Sequence, residues 1–200
     1  MKKLSTGKVL GIFAALGFFL YGNTLTHDFA LDDAIVITDN TFTKKGLSGI
    51  WDQLTNDQFV GFYGEKKELV AGGRYRPLSM VIYNLQYAIA GKSPFLGHLV
   101  NVIFYILNGV LLFHILNRIL PQFQGYLKGI SLPLLVSLLW FFHPIHTEVV
   151  ANIKGLDEIL AFCLQLSTLW FVLQYLDKKR IVALLTIDLL FCLGLLAKES

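Results

Sequence analysis

Five blocks of apolar residues, separated by short polar connectors, decide what this chain can fold into. They lie at about 9–25, 98–116, 127–142, 159–176 and 181–197. Runs of this kind read as helices crossing a hydrocarbon layer of about 30 Å, at about 1.5 Å of rise per residue. The third reaches only about 25 Å, so either the bilayer thins there or protein covers the helix end. Hydrophobic residues make up 54% of the chain and charged residues 16%; an average soluble domain is about 25% charged. The fold class expected is therefore all-α, a polytopic helical membrane protein with about five transmembrane helices. A net charge of +3 is too small to suggest nucleic acid. Cys163 and Cys192 both sit inside apolar runs, where sulfur acts as a small hydrophobe and implies no disulfide framework.

Orientation follows from the basic residues. Lys2, Lys3 and Lys8 precede the first block, Arg118 and Lys128 lie in the connector after the second, and Lys178, Lys179 and Arg180 follow the fourth. Alternating spans with the N-terminus in the cytoplasm put all of these inside. The first block is read as an uncleaved span, because Tyr21-Gly22-Asn23-Thr24-Leu25 is a poor signal-peptidase site. The segments 26–97, 143–158 and 198–200 then face outward. Ser200 follows the last apolar run almost directly, so a longer parent protein is expected.

The outer segment 26–97 is too long for a bare loop. Leu47, Ile50, Trp51 and Leu54 fall at i, i+3, i+4 and i+7, which predicts an amphipathic helix over 46–59 lying in the headgroup region. A second juxtamembrane helix is expected from Pro77, a favoured first residue, to Ala90 before Gly91. The glycine-rich stretch 61–73 between them is expected to be mobile.

Sorted by predicted side, the ionisable residues collect on the outer rim: Asp32 and Asp33, Arg74 and Arg76, His143, His146 and Glu148, Lys154, Asp157 and Glu158, and Lys198 and Glu199. Charges at membrane level are costly unless paired, so groups from several span ends should converge. An acidic pair beside a span suits a general base, since repulsion raises one pKa while its neighbour stays ionised. Two guanidiniums flanking Tyr75 suit a phosphate, although they also serve as headgroup anchors. His143, His146 and Glu148 invite a metal, but H-x-x-H-x-E is not the H-E-x-x-H helix pattern and Pro144 disfavours a helix through His143; orienting roles are preferred. Beyond Thr147, helical spacing aligns His146, Val150, Lys154 and Asp157 on one stripe. Asn101 and Asn108, a heptad apart, suggest hydrogen bonding between helices. Asp188, central in the fifth block, suggests either a functional acid or a partner on another span.

Several blocks together resemble a known family. They are Leu31-Asp32-Asp33 with Asn40, Tyr75-Arg76-Pro77-Leu78, Gly97-His98-Leu99-Val100-Asn101, His143-Pro144-Ile145-His146-Thr147-Glu148-Val149-Val150-Ala151 with Gly155 and Asp157, and Leu196-Ala197-Lys198-Glu199. From about residue 20 onward this is similar to the N-terminal membrane part of the transmembrane and tetratricopeptide-repeat O-mannosyltransferase-like proteins and their bacterial relatives, members of the GT-C superfamily. The resemblance implies a catalytic acid or base at Asp32 or Asp33 and a donor-phosphate site at Arg76, aided by Arg74 or Lys198. It also implies cavity-lining roles for His143, His146, Glu148, Lys154, Asp157 and Glu199. Where the family often carries an arginine after Gly155, this chain has Leu156, with Lys154 as the candidate substitute.

The activity implied is transfer of a mannose-like hexose from a polyprenyl-phosphate donor to a hydroxyl of a protein or glycan acceptor, at the outer face, without a metal or other cofactor. The partners implied are membrane lipids and the lipid-linked sugar. The location implied is the cell membrane of a bacterium or the endoplasmic reticulum membrane of a eukaryote. Two other classes stay open: a transporter or flippase of lipid-linked sugars, and a non-catalytic membrane assembly module. Further spans and helical repeats, as in the family, are expected beyond these residues.

Overall fold

The computed structural model describes residues 5–66, 74–120 and 131–198. Helix α1, Thr6–Tyr21, continues through a 3-10 turn at Gly22–Thr26. A π-turn at Ala34–Thr38, a short α2 at Thr41–Lys44, a 3-10 turn at Gly46–Gly49, α3 at Ile50–Thr55 and α4 at Val60–Tyr63 form the segment expected to be external, called the outer segment below. Then come α5, Pro77–Ala90, α6, Pro94–Ile119, and α7, Leu132–Phe141. Helix α8, His146–Ala151, leads through a 3-10 turn at Ile153–Gly155 into α9, Leu156–Lys178, and α10, Ile181–Ala197, closes the described chain.

Three stretches are long and apolar enough to cross a membrane: Thr6–Thr26, Pro94–Ile119 and Ile153–Lys178. Leu132–Phe141 and Ile181–Ala197 are shorter apolar helices. The chain is an all-α polytopic membrane protein, with no strand among the described residues. The third apolar block was expected to start near Leu127; residues 127–130 lie outside the described residues, and α7 is observed from Leu132.

Helix α6 is the post around which the bundle stands, contacting α1, α7 and α9, while α10 lies along α9. One core joins Val9 and Phe13 of α1 to Val102, Tyr105, Ile106 and Phe113 of α6 and to Phe141. Two glycines permit the close α1–α6 crossing. A Cβ on Gly17 would stand 2.5 Å from Ile106 Cγ1, and one on Gly109 2.6 Å from the Phe13 ring and 2.8 Å from that of Phe141. Tyr105 stacks on Phe141 with ring centroids 4.6 Å apart and donates its hydroxyl to the Phe141 carbonyl at 2.7 Å. The end of α7 is thereby tied to the post. At the opposite end of the bundle Arg118 bonds Asp177 and the Leu173 carbonyl.

The outer segment is built inside out. The expected helix over 46–59 is confined to Ile50–Thr55. Gly46 takes φ 58°, Gly49 packs its Cα against the Phe42 carbonyl, and Asn56 is extended. Leu47, Trp51 and Leu54, the apolar stripe, are exposed, whereas Gln53 is buried. On α5 the same holds: Leu85 and Ile89 are exposed while Ser79, Met80, Tyr83 and Asn84 are buried. The interior is a polar network. Asn40 Oδ1 accepts from the Phe42 and Thr43 amides at 3.0 and 3.1 Å, capping α2. Gln53 Nε2 donates to Thr43 Oγ1 and Asn84 Oδ1, both at 3.1 Å. Asn84 Nδ2 donates to the carbonyls of Phe42 and Gly46 at 3.0 and 2.8 Å. Of the glycine-rich stretch 61–73, residues 67–73 lie outside the described residues.

The packing makes one prediction. Gly109→Val should drive the Phe13 and Phe141 rings apart and cost about 1–3 kcal/mol of stability. Gly11→Ala, whose Cβ position has nothing within 4 Å, should cost nothing. Thermal unfolding of the two variants in lipid discs compares them.

Candidate active site

The helix ends on one side of the bundle converge. The turn after α1, the start of α6, the α7–α9 connection and the end of α10 meet the π-turn and α5. At their centre is the connection Ala151–Leu156. The expected stripe from His146 to Asp157 is broken there, because Asn152 is extended and its Oδ1 accepts from the Lys154 amide at 3.1 Å. His146 consequently turns toward Trp140 and Tyr105, and Lys154 turns toward the acidic pair.

Asp33 is fully buried. Its Oδ2 accepts from the Ala30 amide at 2.9 Å and its Oδ1 from the Lys154 amide, also at 2.9 Å. Burial pushes its carboxyl above the usual aspartate range, against the pull of those two amides. Asp32 is half-exposed and lies 3.4 Å from Lys154 Nζ. One residue thus serves the pair twice, with its backbone for Asp33 and its ammonium for Asp32. Leu31, just before, holds φ 45°, a strained backbone for a branched residue that costs roughly 1–3 kcal/mol.

The peptide unit between Ile153 and Lys154 is held from its other side. Its carbonyl accepts from Tyr83 Oη at 3.2 Å and Asn101 Nδ2 at 3.3 Å. Donors on the carbonyl polarise the amide of the same unit, which strengthens its bond to Asp33. Asn101 Nδ2 also donates to the Asn152 carbonyl at 2.8 Å. Burial, then the charges of Asp157 and Asp33, raise the Tyr83 phenol well above its ordinary value, so it stays a donor. Gly155 lets the chain turn here: a Cβ would stand 2.0 Å from the Val149 carbonyl oxygen.

Beside this unit Arg76 Nη1 lies 2.6 Å from Asp157 Oδ2, both side chains buried. Asp157 Oδ1 accepts from the Glu158 amide at 2.8 Å, and both acids sit in the first turn of α9, the favourable end for negative charge. Lys198 Nζ, at the end of α10, lies 2.6 Å from Glu158 Oε1. Asp32, Asp33, Arg76, Lys154, Asp157 and Lys198 therefore form one rim of linked charges.

The remaining candidates lie apart. Arg74 bonds Asp57 through its backbone and stacks over Phe59. His143 and Glu148 are exposed on the other flank of the α7–α8 turn. Glu199 lies outside the described residues. Among the described residues no three His, Cys, Asp or Glu side chains are grouped to hold a metal ion. Asn101 and Asn108 do bond across helices, Asn108 Nδ2 to the Ile159 carbonyl of α9 at 3.0 Å. Asp188 is exposed on α10. The residues that sequence reasoning missed are Tyr83, Asn152 and the backbone of Lys154; Glu158, expected on the rim, is found there as the partner of Lys198.

Fold and rim together define a polytopic helical membrane protein with linked charges where its helices end. Comparison with known proteins narrows the class. The chain is 30% identical over 178 residues to the protein O-mannosyl-transferase TMTC1 of Homo sapiens, covering 88% of this chain and 18% of that protein. It is 31% identical over 189 residues to Tmtc1 of Drosophila melanogaster, 94% of this chain and 20% of that protein. It is 33% identical over 168 residues to TMTC2 of Homo sapiens, 82% and 18%. No family model and no solved structure matches. The resemblance to the membrane part of the O-mannosyltransferase-like proteins of the GT-C superfamily thus extends over most of the chain, which spans about one fifth of the length of those curated relatives.

The raised carboxyl of Asp33 has a pH consequence. The folded state binds that proton more tightly than the unfolded chain. Its contribution to stability is full below the ordinary aspartate pKa and is lost as pH rises through the raised value. Asp33→Asn removes that loss. The unfolding temperature of the parent relative to that of the variant should therefore fall from about pH 4 to about pH 8, measured by differential scanning fluorimetry.

Proposed function

We propose that this chain is part of a membrane glycosyltransferase that moves a mannose-like hexose from a polyprenyl-phosphate donor to a hydroxyl acceptor at the outer face. The chemistry is a single displacement at the anomeric carbon. The acceptor oxygen forms the new bond, the lipid phosphate leaves with the electron pair of the old one, and the acceptor proton passes to a carboxylate. No metal or other cofactor takes part.

The observation that carries this is the double hold of Lys154 on the acidic pair. It leaves Asp32 half-exposed and fixed in place, as a base must be to reach a substrate hydroxyl. Asp33, buried and bonded at both oxygens, holds the loop that presents it. Lys154 and Lys198, each partly open to solvent and each paired to an exposed carboxylate, are placed to meet a phosphate leaving group. Arg76, bound to Asp157, anchors the same rim and adds positive potential. The outer face is taken to be the side opposite Lys178, Lys179 and Arg180, with the N-terminus in the cytoplasm. In a eukaryote that side is the lumen of the endoplasmic reticulum. The names of the relatives, protein O-mannosyl-transferases, support both sugar and reaction.

The test is transfer of radiolabelled mannose from polyprenyl-phosphate-mannose to a Ser/Thr-containing acceptor, in membranes carrying the protein. Asp32→Asn should lower the rate by about 10²–10⁴-fold, the usual contribution of a general base, with donor binding retained. An unchanged rate would remove Asp32 from the chemistry. Movement of the lipid-linked sugar across the membrane without its consumption would favour a transporter instead.

A further inference from the structure

On the far flank of α8 and α9 from the acidic pair, where α7 ends, a cleft of about 230 Å³ opens between α6, α7 and α9. Trp140 and Phe162 stack on one another in its wall with ring centroids 5.3 Å apart, and Tyr105 stacks on Trp140 at 5.4 Å, so the three rings form one aromatic wall. Three polar groups share the lining: Asn108, His146 and Glu158.

Each of the three presents an acceptor. Asn108 Nδ2 is committed to the Ile159 carbonyl, which fixes the amide's orientation and leaves its buried Oδ1 with no partner. His146 bonds the Trp140 carbonyl, while its Nε2 is buried and unpartnered. Burial, then neighbouring His143, lowers the pKa of this imidazole, so at neutral pH the ring is uncharged and Nε2 accepts. The Glu158 carboxylate, held by Lys198 at 2.6 Å, accepts as well. Two buried acceptors without donors cost free energy until a ligand supplies O–H or N–H groups.

The ligand that satisfies such a cleft brings several donors and an apolar face. An anion would meet acceptors and a carboxylate. A bare hydrocarbon chain would leave Asn108 and His146 unpaired. A pyranose ring fits both demands, its hydroxyls donating and its C–H groups packing against the exposed parts of the Trp140–Phe162 wall. The volume suits one ring rather than a drug-sized ligand. We infer that this cleft is a second, non-reacting binding site for a pyranose, supplied as the headgroup of a glycolipid or as a free glycan. The inference does not rest on the transfer chemistry, since Asp32 lies outside the cleft.

The experiment uses the chain with Trp51→Phe and Trp170→Phe, so that Trp140 is the remaining tryptophan, in lipid nanodiscs. n-Octyl mannopyranoside should produce a saturable change in Trp140 fluorescence, and n-octyl phosphocholine should not. Competition by methyl mannopyranoside identifies free glycan as sufficient; binding of the octyl glycoside alone identifies the glycolipid. Asn108→Leu and, separately, His146→Phe should each weaken binding by about tenfold, the loss of one hydrogen bond, and Asp32→Asn should leave it unchanged. The inference is overturned if the phosphocholine gives the same response, if no saturable response occurs, or if the His146→Phe protein, folded by circular dichroism, binds as the parent does.

Discussion

A single peptide unit, between Ile153 and Lys154, carries the organisation of the outer rim. Its carbonyl takes hydrogen bonds from Tyr83 on α5 and Asn101 on α6, and its amide gives one to Asp33. Three segments far apart in sequence are thereby joined at one plane. Because these groups are buried, none can exchange its partner for water without leaving a polar atom unpaired. The acidic pair, the Arg76–Asp157 ion pair and the Lys198–Glu158 bridge all hang from residues next to that unit. The apolar cores beneath hold the helices together, but they do not choose which carboxylate is exposed; this peptide does.

How much of the architecture could be read from the residues depends on the kind of signal. The membrane helices were legible because burial in hydrocarbon demands unbroken apolar runs, and Pro77 and Gly91 bracket α5 as punctuation should. The convergence of charges on one rim was legible for the same reason, since ionised groups beside a membrane must find partners. Three features were not. The break at Asn152 hides inside a stretch whose spacing suits a helix, and the Asn152 side chain stabilises the break by bonding the Lys154 amide. The Lys154 amide has no signature, because every residue but proline has one. The interior of the outer segment misleads outright: Gln53, Asn84 and Asn40 stand at positions that pattern reading assigns to solvent, yet they bond one another and the backbone.

The rim also divides by flank in a way that residue spacing concealed. The block from His143 to Glu148 is part of the family resemblance, yet of His143, His146 and Glu148 only His146 points inward, toward Trp140 and the aromatic cleft rather than toward Asp32. Glu158 stands between the flanks, lining that cleft while paired to Lys198. The two flanks share the α8–α9 connection, so a shift of Gly155 against the Val149 carbonyl would move both.

The inverted outer segment has a mechanical consequence. Its order comes from amides bonded to amides and carbonyls, and its oily side chains, Trp51, Leu47 and Ile89, point away from that interior. Such a piece behaves as a float with a rigid hull. The same segment grips α5, which carries Tyr83 and follows directly from Arg76, so a force on its oily face is passed to the rim as a rigid displacement rather than absorbed by internal slip.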